Sequence, residues 1–139
     1  MTTDLKTAGD LADSLIAKEV SVQDAMWGVA NDRADALDGQ MQDAAMAQIG
    51  LVVLKRKGFP SAEAVQLAGN DFYPADWSGF RDYDSAVANL AVAAAFIRSE
   101  MKRLIAAGES TYRAPRNPEQ VYAPNTTPRM SSDEAIRGS

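Results

Sequence analysis

Between residues 83 and 104, apolar side chains recur at alternating intervals of four and three: Tyr83, Val87, Leu90, Ala94, Ile97, Met101 and Leu104. This is the spacing of one face of an α-helix, whereas a strand would alternate every second residue. Held over three repeats, it is a heptad seam of the kind that joins helices side by side. The chain is thereby committed to a long final helix whose stripe has to be covered. Two coverings fit: the interior of an intramolecular bundle, or a subunit interface. The first half of this segment, Ala86 to Ala95, is rich in alanine on every face and predicts neighbours on more than one side. Arg98, Lys102 and Arg103 fall in the last turns, where cations suit the helix dipole, and Gly108 supplies the stop.

Upstream, further helical signals follow. Thr7-Ala-Gly-Asp10 resembles a capping box and predicts a short helix with Leu11, Leu15 and Ile16 on one face. Ser21, with Val20 before it, reads as a second start. From there Val22, Met26, Val29, Leu37, Met41, Ala44, Ala45, Ile49 and Val52 keep helical spacing, which predicts one long helix ending at Lys55-Arg56-Lys57 and Gly58. Gly28, Gly39 and Gly50 recur every eleven residues. On a straight helix they would share one stripe; the alternative is a break near Asp38-Gly39. A short helix is expected from Ser61 to Ala68, closed by Gly69-Asn70. Next comes an aromatic loop holding Phe72, Tyr73, Trp77 and Phe80, followed by Tyr83. Aromatic density in a Pro/Gly segment marks either a lid packed on the core or an exposed contact site.

The chain has 139 residues, no cysteine and no histidine. Disulfides, thiolate zinc sites, thiol nucleophiles and histidine general bases are therefore impossible. No phosphate-binding glycine loop occurs, because the three spaced glycines fit neither dinucleotide nor P-loop patterns. Asp71, Asp76, Asp82 and Asp84 are the one set of carboxylates that could hold a cation or form an acid–base pair, and caps and loop solvation are their ordinary uses. We therefore assign no catalytic residue, no metal ligand and no cofactor, and expect a non-enzymatic protein.

Charge is uneven. Net charge is −5, and the first 54 residues hold nine acids against three bases. Such a balance argues against wrapping nucleic acid, which needs phosphate neutralisation, so contact with nucleic acid is at most indirect. A polar start without a secretory apolar segment, and an apolar run at 86–97 too short to span a bilayer, predict no membrane association. Asp32, Asp35, Asp38 and Asp43 form an acidic stripe, and an acidic helical regulator or inhibitor of another protein is the alternative function.

From Glu109 the composition changes: four of the six prolines, Pro115, Pro118, Pro124 and Pro128, fall in the last 31 residues. Periodicity is lost, which predicts an extended, polyproline-like arm. Tyr112, Arg113, Arg116, Tyr122 and Arg129 are its candidate contact residues, since Tyr and Arg dominate protein anchoring. The expected architecture is all-α: a helical domain over 1–108, a bundle with one or two long helices, and an extended C-terminal arm over 109–139. Its candidate interface comprises the seam together with the arm residues.

Thr7-Ala-Gly-Asp-Leu11, Met41-Gln-Asp-Ala44, Ser85-Ala-Val87, Asn89-Leu-Ala91, and the arm's Arg113-Ala-Pro115 and Pro128-Arg-Met130 together make a chain that resembles the head-to-tail adaptor (packaged-DNA stabilisation) proteins of short-tailed phages. Leu51-Val-Val-Leu54 stands where that family has an aromatic ending to its long helix. The resemblance implies a homo-oligomeric ring beneath a portal, contacts to portal-like and tail proteins through the arm, residence in the virion after assembly in the host cytoplasm, and no catalysis.

Overall fold

In the computed structural model, residues 3–27 and 39–115 are described. They form four α-helices and no strand: α1 (Leu5–Trp27), α2 (Gln40–Arg56), α3 (Ser61–Phe72) and α4 (Ala86–Ala106). The protein is an all-α helical bundle.

Helix α1 starts earlier and runs further than its sequence signals suggest. The Asp4 carboxylate accepts from the Thr7 N–H at 2.9 Å and the Thr7 hydroxyl at 3.1 Å, so Asp4 caps the helix and Thr7 lies inside it. Ser21 does not restart the chain; it sits within an unbroken α1. Nor does one long helix join residues 22 to 57. Gly39 is left-handed, with φ 73°, at the N-cap of α2, which is the break that Asp38-Gly39 offered. Met41 and the residues after it thus belong to a separate helix; Gly28, Val29 and Leu37 lie outside the described residues. Gly50 serves α3: a Cβ there would lie 3.6 Å from the Phe72 ring and 3.7 Å from the Ala68 methyl.

Helix α2 closes with the Gly58 N–H donating to the Lys55 carbonyl at 3.0 Å and the Phe59 N–H to Leu54 at 3.1 Å, Gly58 being left-handed at φ 101°. This paired C-terminal motif turns the chain into α3. Helix α3 continues through Gly69-Asn70 to Phe72 rather than stopping at Ala68, because glycine within a helix costs only about 1 kcal/mol and close packing offsets it. A Cβ at Gly69 would meet the Phe80 ring at 3.2 Å. Pro60 is the N-cap of α3, and the Ser61 hydroxyl is committed elsewhere. Residues 73–85 return the chain to α4, which the Ser85 hydroxyl caps by accepting from the Ala88 N–H at 2.9 Å.

Helix α4 packs against both α2 and α1, and α2 also carries α3. Met41, Ala44 and Ala45 of α2 meet Val92, Ala93 and Phe96 of α4. Leu51 of α2 packs with Ala64 and Ala68 of α3. Helices α2 and α4 run antiparallel, since Gln48 meets Asn89 while Lys55, a further two turns on, reaches Asp82 before α4 begins. Helices α1 and α4 run in the same direction: Leu15 lies beside Val87 and Leu90, and Asp24 beside Arg98.

Tyr73, Trp77 and Phe80 make a lid on this core. Tyr73 and Trp77 meet edge to face at 5.9 Å, Tyr73 and Phe80 lie 4.9 Å apart, and Trp77 reaches Phe96 of α4 at 6.1 Å. The Tyr73 hydroxyl donates to the Ser78 carbonyl at 3.1 Å, and burial pushes its pKa up. Phe72, the last residue of α3, is 41% exposed.

Candidate interaction face

What is buried and what is exposed follow an unusual division. Among the described residues, twelve apolar side chains are buried, and eight of them are alanines. Met41, Leu51, Val92 and Phe96 are the larger members of that set. The bigger aliphatic side chains of α4 are on the outside: Val87 is 58% exposed, Leu90 46%, Ile97 43%, Met101 56% and Ile105 51%. Globular proteins ordinarily expose such residues singly; here they fall in one row.

The row is the seam seen in the sequence, displaced from the interior by a competing face. Asn89, Val92, Ala93, Phe96, Ser99, Glu100 and Arg103 turn inward. Small alanines there let α2 and α4 approach closely, and the polar members are satisfied inside. Val87, Leu90, Ile97 and Met101 face outward, with Ala94 and Leu104 half-buried. The seam therefore does not supply this bundle's own core. Tyr83 is not part of it: it precedes the helix, packs half-buried against the core, and carries the Arg81 guanidinium 4.9 Å above its ring. Ile105, missed by strict heptad counting, extends the row one turn beyond Met101.

Helix α1 lengthens the same face. Leu15 and Ile16 share a groove with Val87, Leu90 and Ala91. Leu11, one turn before Leu15, is 55% exposed, and Val22 is 44% exposed. The sequence put Leu11 and Leu15 on one face; their position beside the α4 seam needed the fold. At the other end, Arg98 and Lys102 border a groove floored by Met101 and Ile105. The Arg98 guanidinium lies 3.8 Å from Asp24 of α1, a loose and half-exposed pair. A third groove, lined by Met101, Leu104 and Ile105, meets Ser110 and Thr111, just past the end of α4.

The chain leaves α4 through a second paired motif: the Gly108 N–H donates to Ile105 at 2.9 Å and the Glu109 N–H to Leu104 at 2.9 Å, with Gly108 at φ 97°. Tyr112 is 78% exposed and Arg113 is also exposed. Arg116, Tyr122 and Arg129 lie outside the described residues, as do Asp32, Asp35 and Asp38 of the acidic stripe; Asp43 is exposed in the first turn of α2.

A buried polar lock holds α4 so that this face points outward. Asp82 accepts from Lys55 of α2, from the Ser61 hydroxyl of α3 at 2.7 Å, from the Asn89 amide of α4 at 3.0 Å and from the Asp84 N–H at 2.8 Å. The Asn89 carbonyl accepts in turn from the Gln48 amide at 2.8 Å and the Tyr83 N–H at 2.9 Å. Gln48 also donates to the Arg81 carbonyl at 3.0 Å. The Lys55 ammonium above all, helped by these other donors and opposed by burial, holds the Asp82 carboxyl well below the usual carboxylate range. Lys55 is thus the partner of Asp82 as well as a cation at the α2 dipole. Sequence reasoning missed Gln48 and Asn89, because an amide within a helix pattern carries no sign of its partner.

A second buried pair lies on the inner face of α4. The Arg103 guanidinium donates to Glu100 through two nitrogens, at 2.9 and 2.7 Å. Asp76 accepts from Gln40 at 3.1 Å, so Asp76 and Asp82 are held by separate partners. Among the described residues no three metal-ligating side chains gather, and no helix is long and apolar enough to cross a membrane.

No protein-family model matches the sequence, and no curated protein or solved structure matches it either. Its own geometry, a helical bundle with a row of large aliphatic side chains on one side, is what defines it.

Proposed function

We propose that this chain is a non-catalytic structural protein that assembles through its α1–α4 face and docks its C-terminal arm on neighbouring molecules. The observation that carries this reading is the inversion of size: alanines fill the interior while Val87, Leu90, Ile97, Met101 and Ile105 stand outside in a row. Fully burying a large aliphatic side chain is worth about 1.5–3 kcal/mol, and these are already half-buried, so a second surface seated on the row gains about half of that for each one it covers. The absence of histidine and cysteine narrows the catalytic alternatives from the other side. In its specific form, drawn from the resemblance noted above, the assembly is a head-to-tail adaptor: a ring formed beneath a portal-like protein and met by tail proteins, within the virion.

Co-purification tests it. Full-length chain mixed with portal-like and tail proteins of short-tailed phages is expected to yield a complex holding several copies of the chain. Ile97→Glu, on the exposed row, is expected to lower the number of copies bound. A chain left out of every such complex would overturn the adaptor reading.

A further inference from the structure

The exposed row of α4 is complementary to itself in one orientation. We infer that a second copy of this chain covers the α1–α4 face, with the two α4 helices antiparallel about a two-fold axis near Ala94 and Ile97. This rests on the assembly reading above and names the partner of that face and its orientation.

Three observations carry it. The first is spacing. The seam side chains, 87, 90, 97 and 101 exposed with 94 and 104 half-buried, keep the three–four alternation that matches a facing helix of the same kind. Laid antiparallel about their midpoint, Val87 faces Leu104, Leu90 faces Met101, and small Ala94 faces Ile97. Large then meets small at the centre, where the helices are closest. The second is area. The exposed aliphatic side chains of α4 and of α1, each about half accessible, amount to roughly 700 Å² per protomer, close to the ~800 Å² one partner gives to a standard interface.

Charge is the third, and it sets direction. All charged residues of α4 lie between Arg98 and Arg103, and residues 86–97 carry none. Glu100, the one acid of the helix, is buried and held by Arg103, so it cannot face a neighbour's cations. A parallel, in-register pair would gather the Arg98 and Lys102 of both copies at one end. The antiparallel pair sets them against the uncharged half of the partner helix, towards the end where α1 carries Asp13 and an Asp10 already paired with Lys6. A two-fold contact closes on itself, so the pair is the free form of the chain and has to open before the same face can enter a ring.

The lack of native cysteine makes the test direct. Full-length Leu90→Cys and Met101→Cys are prepared separately, checked for unchanged helicity by circular dichroism, mixed, and oxidised. Both positions are exposed, so neither change disturbs the core. The expected result is a covalent dimer in the mixture, several-fold above either variant alone. Leu90→Cys linking to itself as well as or better than to Met101→Cys overturns the antiparallel register. No cross-link in a preparation whose mass is multimeric overturns the pairing and leaves assembly by another surface standing. A chain monomeric up to the highest soluble concentration also overturns it, without touching assembly on a portal-like template.

Discussion

Asn89 and Asp82 show how much of this fold hangs on single polar side chains. Asn89 is 1% exposed and serves Gln48, Tyr83 and Asp82 at once, tying α2, the loop and α4 together. Removing its amide strands the Tyr83 N–H and leaves the Gln48 amide only its bond to Arg81, so Asn89→Ala is expected to cost about 2–4 kcal/mol in chemical denaturation. An isosteric apolar replacement does not restore it, because the donors remain. Asp82 adds a pH signature. Its folded pKa is depressed, so its contribution is fully present above the unfolded carboxylate value of about 3.9. As pH falls below that value the contribution declines, and it is gone once the folded group protonates. Asp82→Asn is therefore expected to lower stability near neutrality and to flatten the acid limb of the stability–pH curve between about pH 4 and 2. A parallel downward shift of the curve, with its acid limb unchanged, would show that Asp82 does not carry this linkage. Neither residue was legible beforehand. An aspartate in a loop and an asparagine in an alanine-rich helix each have ordinary solvated uses, and only tertiary contact distinguishes them.

Helices were legible where periodicity was strong and ambiguous where local signals competed. The α4 stripe identified a helix, and Ser85 sits at its N-cap; Ser85→Ala is expected to cost about 1 kcal/mol without changing the fold. What periodicity could not state was which of two apolar faces of α4 turns inward. The alanine face won because small side chains allow α2 within reach of Asn89 and Phe96, whereas the bulky seam would hold it away. At Ser21 a plausible start signal lost to helix continuity, since serine is tolerated within a helix whose neighbours supply the packing. At Gly39 the reverse happened: the positive φ of 73° breaks a pattern that apolar spacing alone would have continued. Gly39→Ala has open space for its Cβ and yet is expected to cost about 1 kcal/mol, because the penalty lies in the backbone. Thermal unfolding of the variant measures it.

At the level of the whole molecule, the interior is small-residue packing stitched by amides, and the larger aliphatic side chains are held in reserve on one side. On the pairing inferred above, the midpoint of unfolding is expected to rise with protein concentration, as it does for any folded state that binds a copy of itself. The all-α class and the final helix with its stop at Gly108 were readable from spacing. The division into an alanine interior and an aliphatic exterior was not, since composition counts residues without placing them.

Mass-resolved size-exclusion chromatography of the full chain beside Ile97→Glu addresses that division most directly. Ile97 is 43% exposed, so the glutamate leaves the bundle folded while placing charge at the centre of the row. The account predicts a discrete multimer for the natural sequence and a monomer of equal helicity for the variant. Equal masses for the two at every concentration would contradict it.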